Sequence, residues 1–279
     1  MNIVTAFYPF QFVAERVAAD HASVTSLTSP GAEPHDLELT PRQVAAVSSA
    51  DLVVYEKTFQ AAVDEAVAQS GNAHVIDTAS IVPLVSLPPS APGDSHDHAG
   101  GHGAGSGLDP HVWLDPTNMI KIAGAIADQL ASIDPDHAAD YRANARALDA
   151  DLNRLDETYA AGLKSCKLRE FITTHAAFGY LSRRYDLTQV GINGLSPESE
   201  PSPARIAEVQ QIATERGVTT IFYETLVSPA VADSIARDLN LKTDVLDPIE
   251  GITDSSRGSD YLSVMESNLA ALRRANSCS

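Results

Sequence analysis

The sequence predicts an α/β fold of two Rossmann-like βα lobes with mostly parallel sheets, connected by one long helix. Strand-like and helix-like segments alternate in both halves of the 279-residue chain, as is typical of parallel sheets covered by helices. The two halves are separated by a long segment with helical periodicity and no proline. A chain of this length is also sufficient for two hydrophobic cores.

The first half begins with three strand–helix pairs and a fourth strand. We predict strands at 3–8, 23–28, 51–55 and 74–77, and helices at 9–19, 58–69 and from 41 onward. Thr40 followed by Pro41 is a typical helix start, because threonine caps the first turn and proline is favoured at the first helical position.

A polar segment interrupts this pattern at 88–107. It is rich in Pro, Gly, Ser, Asp and His, so it cannot bury enough apolar surface to offset the entropy of ordering. We therefore predict a mobile loop there. An ordered turn at Asp109-Pro-His-Val-Trp-Leu-Asp-Pro and a helix at 116–132 follow it.

One long helix is predicted at 136–163. Its large apolar residues fall on one face, at Tyr141, Leu148, Leu152, Leu155, Tyr159 and Leu163. At 1.5 Å per residue it is roughly 40 Å long, enough to run past both lobes as a strut; the alternative is an amphipathic helix within one lobe. Its position between two βα runs favours the strut, with a first lobe at 1–135 and a second at 164–279.

The second half repeats the βα pattern, without obvious sequence identity to the first. We predict strands at 169–174, 189–192, 219–223 and 243–246, and helices at 176–185, 203–215, 229–239 and 260–275.

The formal net charge of −18 argues against nucleic acid or anionic lipid as a partner. It suits a cationic ligand, but it suits plain solubility equally well. No apolar run reaches the roughly 18–20 residues that span a bilayer, and no leader precedes the first strand. The protein is therefore either cytoplasmic or an exported protein whose leader has been removed.

Three histidines and one aspartate are candidate ligands: His35, His175 and Asp247 follow predicted strands, and His111 lies in the ordered turn. Ligands bind outside the carboxyl ends of strands in open α/β sheets, so two facing lobes would bring these side chains together. Three imidazoles and a carboxylate suit tetrahedral Zn²⁺, whereas Mn²⁺ prefers more oxygen ligands. Taken singly, each is more simply explained as a solvated histidine or, before Pro248, a turn residue.

Four segments follow one another along nearly the whole chain: Gly31-Ala-Glu-Pro-His-Asp-Leu-Glu-Leu-Thr-Pro, Asp109-Pro-His-Val-Trp-Leu-Asp-Pro, Thr174-His-Ala-Ala-Phe-Gly-Tyr and Leu246-Asp-Pro-Ile-Glu-Gly. Together they resemble the metal-binding motifs of the cluster A-I solute-binding proteins, the receptors of zinc and manganese ABC importers. The resemblance implies two lobes joined by a rigid helix, with the metal at their interface. It also implies His35, His111, His175 and Asp247 as ligands, an ABC transporter permease as partner, and a periplasmic or cell-surface location.

The resemblance favours the zinc branch of that family, since manganese members typically carry Glu where this chain has His175. Zinc members often carry a His- and Asp-rich loop before the second ligand, and this chain has such a loop, with His96, His98 and His102. The loop would form a weak secondary site that gathers zinc or docks a metal-delivering chaperone, or it would be an insertion without effect.

Two further pairs complete the predicted set. Glu33 and Glu224 are candidates to accept a hydrogen bond from the second ring nitrogen of a ligating histidine; the alternative, favoured for Glu33, is an ordinary surface acid. Export favours a disulfide between Cys166 and Cys278 over two unrelated buried thiols. Closing a loop of about 110 residues is worth roughly 4–5 kcal/mol.

We therefore predict a monomeric, high-affinity, extracytoplasmic zinc receptor that delivers Zn²⁺ to an ABC importer, and not an enzyme. A ligating Asp247 would close the coordination sphere, whereas catalytic zinc keeps one position open. The sequence has no nucleophile elbow, phosphate loop or HExxH motif. The alternatives are a manganese receptor of the same family, a zinc-dependent hydrolase, and an adhesin-like surface protein.

Overall fold

The computed structural model describes residues 1–86 and 107–279. Most of the loop predicted at 88–107 lies outside the described residues, and so do its three histidines, His96, His98 and His102. The described residues form two α/β lobes, each with a parallel sheet, as the alternation of strand-like and helix-like segments predicts.

The first lobe contains a four-stranded parallel sheet. Its strands are β1 (Asn2–Thr5), β2 (Ser23–Ser26), β3 (Leu52–Tyr55) and β4 (Val75–Asp77), in the order β2-β1-β3-β4, connected by α1 (Tyr8–Ala18), α2 (Pro41–Ser49) and α3 (Ala61–Ser70). Every residue of β3 is buried, as expected for a central strand covered on both faces. Thr40 caps α2 in a capping box with Gln43, which confirms the predicted helix start.

A short helix and a two-stranded hairpin lead from this sheet to the long helices. The elements are α4 (Thr78–Ile81), β5 (Val85–Ser86), β6 (Leu108–Asp109), α5 (Pro116–Ile133) and α6 (Ala138–Leu163). Strands β5 and β6 pair antiparallel at the two ends of the segment 87–106. The Asp115 side chain caps α5, and Pro116 occupies its first turn.

The second lobe repeats the arrangement of the first. Its strands are β7 (Glu170–Thr173), β8 (Thr188–Gly191), β9 (Thr220–Tyr223) and β10 (Lys242–Val245), with α7 (Gly179–Arg184), α8 (Pro203–Arg216), α9 (Ala230–Leu239) and α10 (Tyr261–Ala275). The parallel sheet has the order β10-β9-β7-β8. In both sheets the first strand therefore lies between the second and the third.

The register of the two sheets corresponds as well, with Thr5 opposite Val54 and Thr173 opposite Phe222. The third strand of each sheet is followed at once by a buried glutamate, Glu56 in the first lobe and Glu224 in the second. Both lie beside the point where the strand order reverses, which is where ligands bind in open α/β sheets.

Helix α6 has 26 residues and is about 39 Å long at 1.5 Å per residue. Its buried residues are Tyr141, Ala145, Leu148, Leu152, Leu155, Tyr159 and Leu163, and they include all six that the spacing predicts. The helix packs against α1 and α5 of the first lobe and against α10 of the second, so it contacts both lobes. Among the described helices, none is both long and apolar enough to cross a lipid bilayer.

One apolar core extends through both lobes. Buried side chains of the first sheet, α5, α6 and α10 form a continuous cluster with Phe171 and Phe222 of the second sheet. Trp113 is fully buried in it, with its ring 4.8 Å from the ring of Phe7. A smaller cluster packs beneath α8 and α9. The lobes are therefore held together by apolar contacts as well as by the connecting helix.

Cys166 and Cys278 form a disulfide, which confirms the predicted pairing. Cys166 follows α6 and Cys278 follows α10, 112 residues later. The carbonyl of Asn276 accepts hydrogen bonds from the backbone N–H groups of Lys167 and Leu168, at 3.0 and 3.1 Å. The C-terminal tail is thereby fixed to the segment that precedes β7.

Candidate metal centre

Three histidines and one glutamate converge between the lobes: His35, His111, His175 and Glu250, whose ligand atoms all lie within 4.8 Å of one another. The Oε1 atom of Glu250 lies 3.3, 3.3 and 3.6 Å from the Nε2 atoms of His35, His111 and His175. The Nε2 atoms of His111 and His175 are 3.3 Å apart. Three imidazole nitrogens and one carboxylate oxygen therefore face a common point.

These four separations are close to the edge length of a zinc tetrahedron. With zinc–ligand distances of about 2.0–2.1 Å, tetrahedral geometry places neighbouring ligand atoms about 3.3–3.4 Å apart. Four of the six separations lie between 3.3 and 3.6 Å, and all six lie within 4.8 Å. The side chains are therefore close enough together to hold one four-coordinate cation.

Each lobe contributes two of the four side chains. His35 lies between β2 and α2 and His111 follows β6, whereas His175 follows β7 and Glu250 follows β10. The site therefore lies at the lobe interface, outside the carboxyl ends of β2, β7 and β10, where parallel sheets bind their ligands.

Three of the four segments share an acid–proline turn, in which the acidic side chain accepts a hydrogen bond from the backbone N–H two residues later. The distances are 3.0 Å from His35 N to Glu33 Oε1, 3.0 Å from His111 N to Asp109 Oδ1, and 2.8 Å from Ile249 N to Asp247 Oδ1. The intervening proline fixes its own φ, and Asp side chains commonly form such turns. The acid shapes the turn, and the side chain that joins the cluster comes directly after the proline in the two histidine segments and one residue later in the third.

Asp247, the predicted fourth ligand, does not lie in this cluster. Its Oδ1 accepts the Ile249 N–H, and its Oδ2 accepts a hydrogen bond of 3.1 Å from the hydroxyl of Thr225. Its backbone N–H and C=O are bonded to the side-chain amide of Asn268, at 2.9 and 2.7 Å. Because both oxygens of Asp247 hold the turn, the carboxylate that reaches the histidines belongs to Glu250, three residues later.

Ile249, directly before Glu250, has a left-handed backbone with φ of 60° and is fully buried. This conformation is rare for a β-branched residue and costs about 1–3 kcal/mol. It persists where the surroundings fix the backbone, as Asp247 does here. The reversal of the chain at Ile249 sets the direction from which Glu250 enters the cluster, and no sequence propensity indicates it.

Carboxylates orient two of the histidine rings. The Nδ1 of His111 lies 2.8 Å from Asp109 Oδ1, and the Nδ1 of His175 lies 2.6 Å from Glu224 Oε1. A proton on Nδ1 leaves the Nε2 lone pair free for a metal. The structure thus places Glu224 where the sequence predicts it. Asp109 is not among the orienting acids predicted from the sequence, although an acid two residues before a candidate ligand histidine could have indicated this role.

Glu33, the other predicted orienting acid, contacts the backbone of His35 and not the second nitrogen of its ring. Its Oε1 accepts the His35 N–H, and it lies 4.0 Å from the same ring's Nε2. Burial and the charge of Glu250 raise the pKa of Glu33 to about 8. Glu33 therefore acts mainly by shaping the turn that carries His35.

The carboxylates also set the protonation of the histidines. Burial lowers the pKa of His35, and its hydrogen bond to Glu250 offsets only part of that effect. Burial acts in the same direction on His111 and His175, but their carboxylate partners outweigh it, so the pKa of His111 is raised and that of His175 is raised well above its ordinary value. Without a metal, protons on these rings compensate the buried negative charge.

Glu250 is held as a carboxylate. Burial alone would raise its pKa, but hydrogen bonds to the three histidines hold that pKa well below its usual range. Its side chain is fully buried, and its Oε2 has no hydrogen-bond partner among the described residues. A buried anion in this state requires nearby positive charge, and either protons or a metal ion can supply it.

His35 marks the side of the cluster that solvent reaches. Its side chain is 11% exposed, whereas those of His111, His175 and Glu250 are 0% exposed. An open cleft lies between the two loops that carry His35 and Glu250, lined by Pro30, Gly31, Ile252, Thr253, Asp254, Ser256, Gly258 and Ser259.

Comparison with known proteins gives matches over nearly the whole chain. A model of the family described as ZnuA, zinc-uptake complex component A periplasmic, matches residues 3–275. The zinc-binding lipoprotein AdcA of Streptococcus pneumoniae is 38% identical over 277 residues, which cover 98% of this chain and 55% of that protein. The high-affinity zinc uptake system protein ZnuA of Bacillus subtilis is 36% identical over 276 residues, covering 98% of this chain and 86% of that protein.

The chain thus spans about half the length of the streptococcal relative. The crystal structure of the Zn(II)-bound ZnuA-like domain of Streptococcus pneumoniae AdcA matches with a TM-score of 0.81 and 36% identity, covering 99% of this chain and 98% of that one. The likeness therefore includes both lobes and every segment that contributes to the cluster.

Proposed function

The chain belongs to the family of the periplasmic component A of zinc-uptake complexes, and from this premise we propose that it is a high-affinity extracytoplasmic receptor that delivers Zn²⁺ to an ABC importer. One observation carries the proposal: three imidazole nitrogens and one carboxylate oxygen converge between the lobes, all within 4.8 Å of one another. We assign His35, His111, His175 and Glu250 as the ligands.

The donor set favours zinc over manganese. Three of its four donors are imidazole nitrogens, which suit Zn²⁺, whereas Mn²⁺ prefers oxygen donors and higher coordination numbers. His175 is decisive, because its ring is held by Glu224 with Nε2 directed at the cluster. A manganese receptor of the same family is the alternative, and a carboxylate in place of His175 would favour it.

The same geometry favours a receptor over an enzyme. A catalytic zinc keeps a coordination position open for water, whereas four protein donors fill the sphere. Together with the match to a zinc-uptake family, this makes zinc the cargo of the site. Because the ligands come from both lobes, movement of the lobes relative to one another provides a route to release it.

The remaining parts of the proposal concern location and partners. The family description is periplasmic and a streptococcal relative is named a lipoprotein, which supports a place outside the cytoplasm. There a monomeric receptor meets an ABC transporter permease. The segment at 88–107 with His96, His98 and His102 is proposed as a weak zinc-gathering site that also receives metal from a chaperone.

Metal titration of the full chain tests the proposal. We expect one Zn²⁺ bound tightly per chain, and Mn²⁺ that fails to displace it in a competition assay. A variant without His96, His98 and His102 serves as the control, because the tight site should survive their loss. Absence of a tight stoichiometric zinc site would refute the proposed function, and a preference for Mn²⁺ would favour the alternative.

A further inference from the structure

Trp113 of the first lobe is bonded to the turn of the second lobe that carries Glu250. Its indole Nε1 donates a hydrogen bond of 2.7 Å to the carbonyl of Pro248, and its side chain is fully buried. Trp113 lies two residues after His111, and Pro248 lies two residues before Glu250. One side chain therefore links the His111 segment of one lobe with the Glu250 segment of the other.

With this bond, both polar atoms of the peptide group between Pro248 and Ile249 are hydrogen-bonded to side chains. The Pro248 carbonyl and the Ile249 N–H belong to the same peptide plane, and the N–H is held by Asp247 at 2.8 Å. The plane is thus fixed at both ends, by Asp247 within the lobe and by Trp113 from the opposite lobe. The orientation of this plane sets the left-handed backbone of Ile249, with φ of 60°. Rotation of the plane would relieve the backbone strain at Ile249.

The turn that carries His35 is completed differently. The carbonyl of Pro34, at the equivalent place in its acid–proline turn, accepts a hydrogen bond of 2.9 Å from Gln60. Gln60 precedes α3 and belongs to the same lobe. The His35 turn is therefore fixed within one lobe, whereas the Glu250 turn depends on contact between the lobes.

We propose that Trp113 is a positioning residue for Glu250. Its indole N–H holds the Pro248–Ile249 peptide in the orientation that presents Glu250 to the three histidines, and it does so across the lobe interface. The inference rests on the proposed function, with Glu250 as a zinc ligand. Separation of the lobes breaks the bond, frees the strained peptide and withdraws the fourth ligand, so lobe contact and zinc retention are coupled.

An isosteric replacement tests this directly. Trp113 is the one tryptophan of the chain, so biosynthetic incorporation of β-(3-benzothienyl)alanine exchanges only its indole N–H for sulfur and keeps the ring shape. We expect zinc to dissociate about tenfold faster or more, within the range for groups behind metal ligands, with little change in the association rate. Trp113→Phe is the genetic counterpart.

Tyr159→Phe is the matched control. The Tyr159 hydroxyl donates to the carbonyl of Met265 at 2.6 Å, and this side chain is also fully buried. It therefore loses the same kind of bond, between an aromatic donor and a backbone carbonyl, away from the Glu250 turn. We expect Tyr159→Phe to lower the melting temperature and leave zinc dissociation unchanged. Equal acceleration by both replacements would overturn the inference.

A Glu250→Gln background separates this inference from the proposed function. If Trp113 acts through Glu250, replacing Trp113 should weaken zinc binding in the native background and add little to Glu250→Gln. Additive losses would mean that Trp113 acts through another group, such as the neighbouring His111, and would overturn the inference alone. Unchanged zinc affinity in Glu250→Gln itself would remove Glu250 from the ligand set and overturn the inference, whereas only the absence of a tight zinc site in the native chain would refute the proposed function.

Discussion

The carboxylate of Asp247 holds the backbone N–H of Ile249 at 2.8 Å, and this contact separates two acids that the sequence places three residues apart. Asp247 is committed to the turn by Ile249 and Thr225. The Oε1 atom of Glu250 contacts the three histidines. Its Oε2 atom has no hydrogen-bond partner among the described residues. Backbone hydrogen bonding, more than residue type, therefore decides which acid faces the metal.

Glu250→Gln and Asp247→Asn should have different effects on zinc binding. The amide at 250 removes the anionic donor, so we expect zinc affinity to fall by about 100-fold or more, beyond the 10–100-fold typical of groups behind ligands. The amide at 247 keeps an oxygen that accepts the Ile249 N–H, so we expect a loss below about tenfold. Isothermal titration in competition with a chelator measures both, and the reverse order would return Asp247 to the ligand set.

The sequence predicts the lobes and the histidines because their signals are local or periodic. The buried face of α6 follows from the spacing of residues such as Tyr141 and Leu163, and His35 and His175 follow strands that propensity locates. The choice between Asp247 and Glu250 is different, because it depends on a left-handed Ile249 that opposes the backbone preference of isoleucine.

The acid–proline pattern is the signal that would have identified Glu250. Glu33 and Asp109 each precede a proline and a histidine, and each holds a backbone N–H. By the same rule Asp247 is the turn residue, and Glu250 is the first side chain after Pro248 that can bind a metal, because isoleucine at position 249 cannot. The hydrogen bond from Trp113 to Pro248 joins residues 135 positions apart. No pattern in the sequence predicts that these two residues are in contact.

Two equivalent glutamates should differ in their importance for zinc binding. Glu224 orients His175, so Glu224→Gln should weaken zinc binding about 10–100-fold. Glu56 lies at the corresponding place in the first lobe, where burial first and then the charge of Asp109 raise its pKa well above the ordinary value. A neutral acid there is well replaced by an amide, so Glu56→Gln should bind zinc nearly as the native protein does. Equal losses in both variants would contradict the assigned role of Glu224.

Zinc affinity should rise with pH, because protons and zinc compete for the same ring nitrogens. Despite burial, carboxylate partners raise the pKa of His111 and of His175, so both carry protons in the metal-free protein at a pH where free histidine is neutral. The loss of affinity on acidification should therefore begin above about pH 6.5. Chelator competition from about pH 8 to pH 5 measures it, and a constant affinity would contradict ligation by histidine.

The stability of the metal-free protein should show the opposite dependence. A group whose pKa is higher in the folded than in the unfolded state contributes stability that is present below the unfolded pKa and lost as pH rises through the folded one. His111 and His175 are such groups, so the metal-free melting temperature should fall as pH rises above about 6.5. In the zinc-loaded protein the metal ion replaces the positive charge of these protons, so its melting temperature should not fall over the same pH range. A rising metal-free melting temperature across this range would contradict the assignment.

Removal of the disulfide should lower stability and spare zinc binding. The bond closes a span of 112 residues, so replacing Cys166 and Cys278 together by Ser should lower the free energy of unfolding by about 2–5 kcal/mol, through the entropy of the unfolded chain. Cys166 precedes β7 and His175 follows it, so the bond and the cluster lie at opposite ends of that strand. Urea unfolding of the metal-free protein and zinc titration measure the two effects, with Ser165→Ala as the control beside the bond. Weakened zinc binding at unchanged stability would mean that the C-terminal tail is coupled to the metal site.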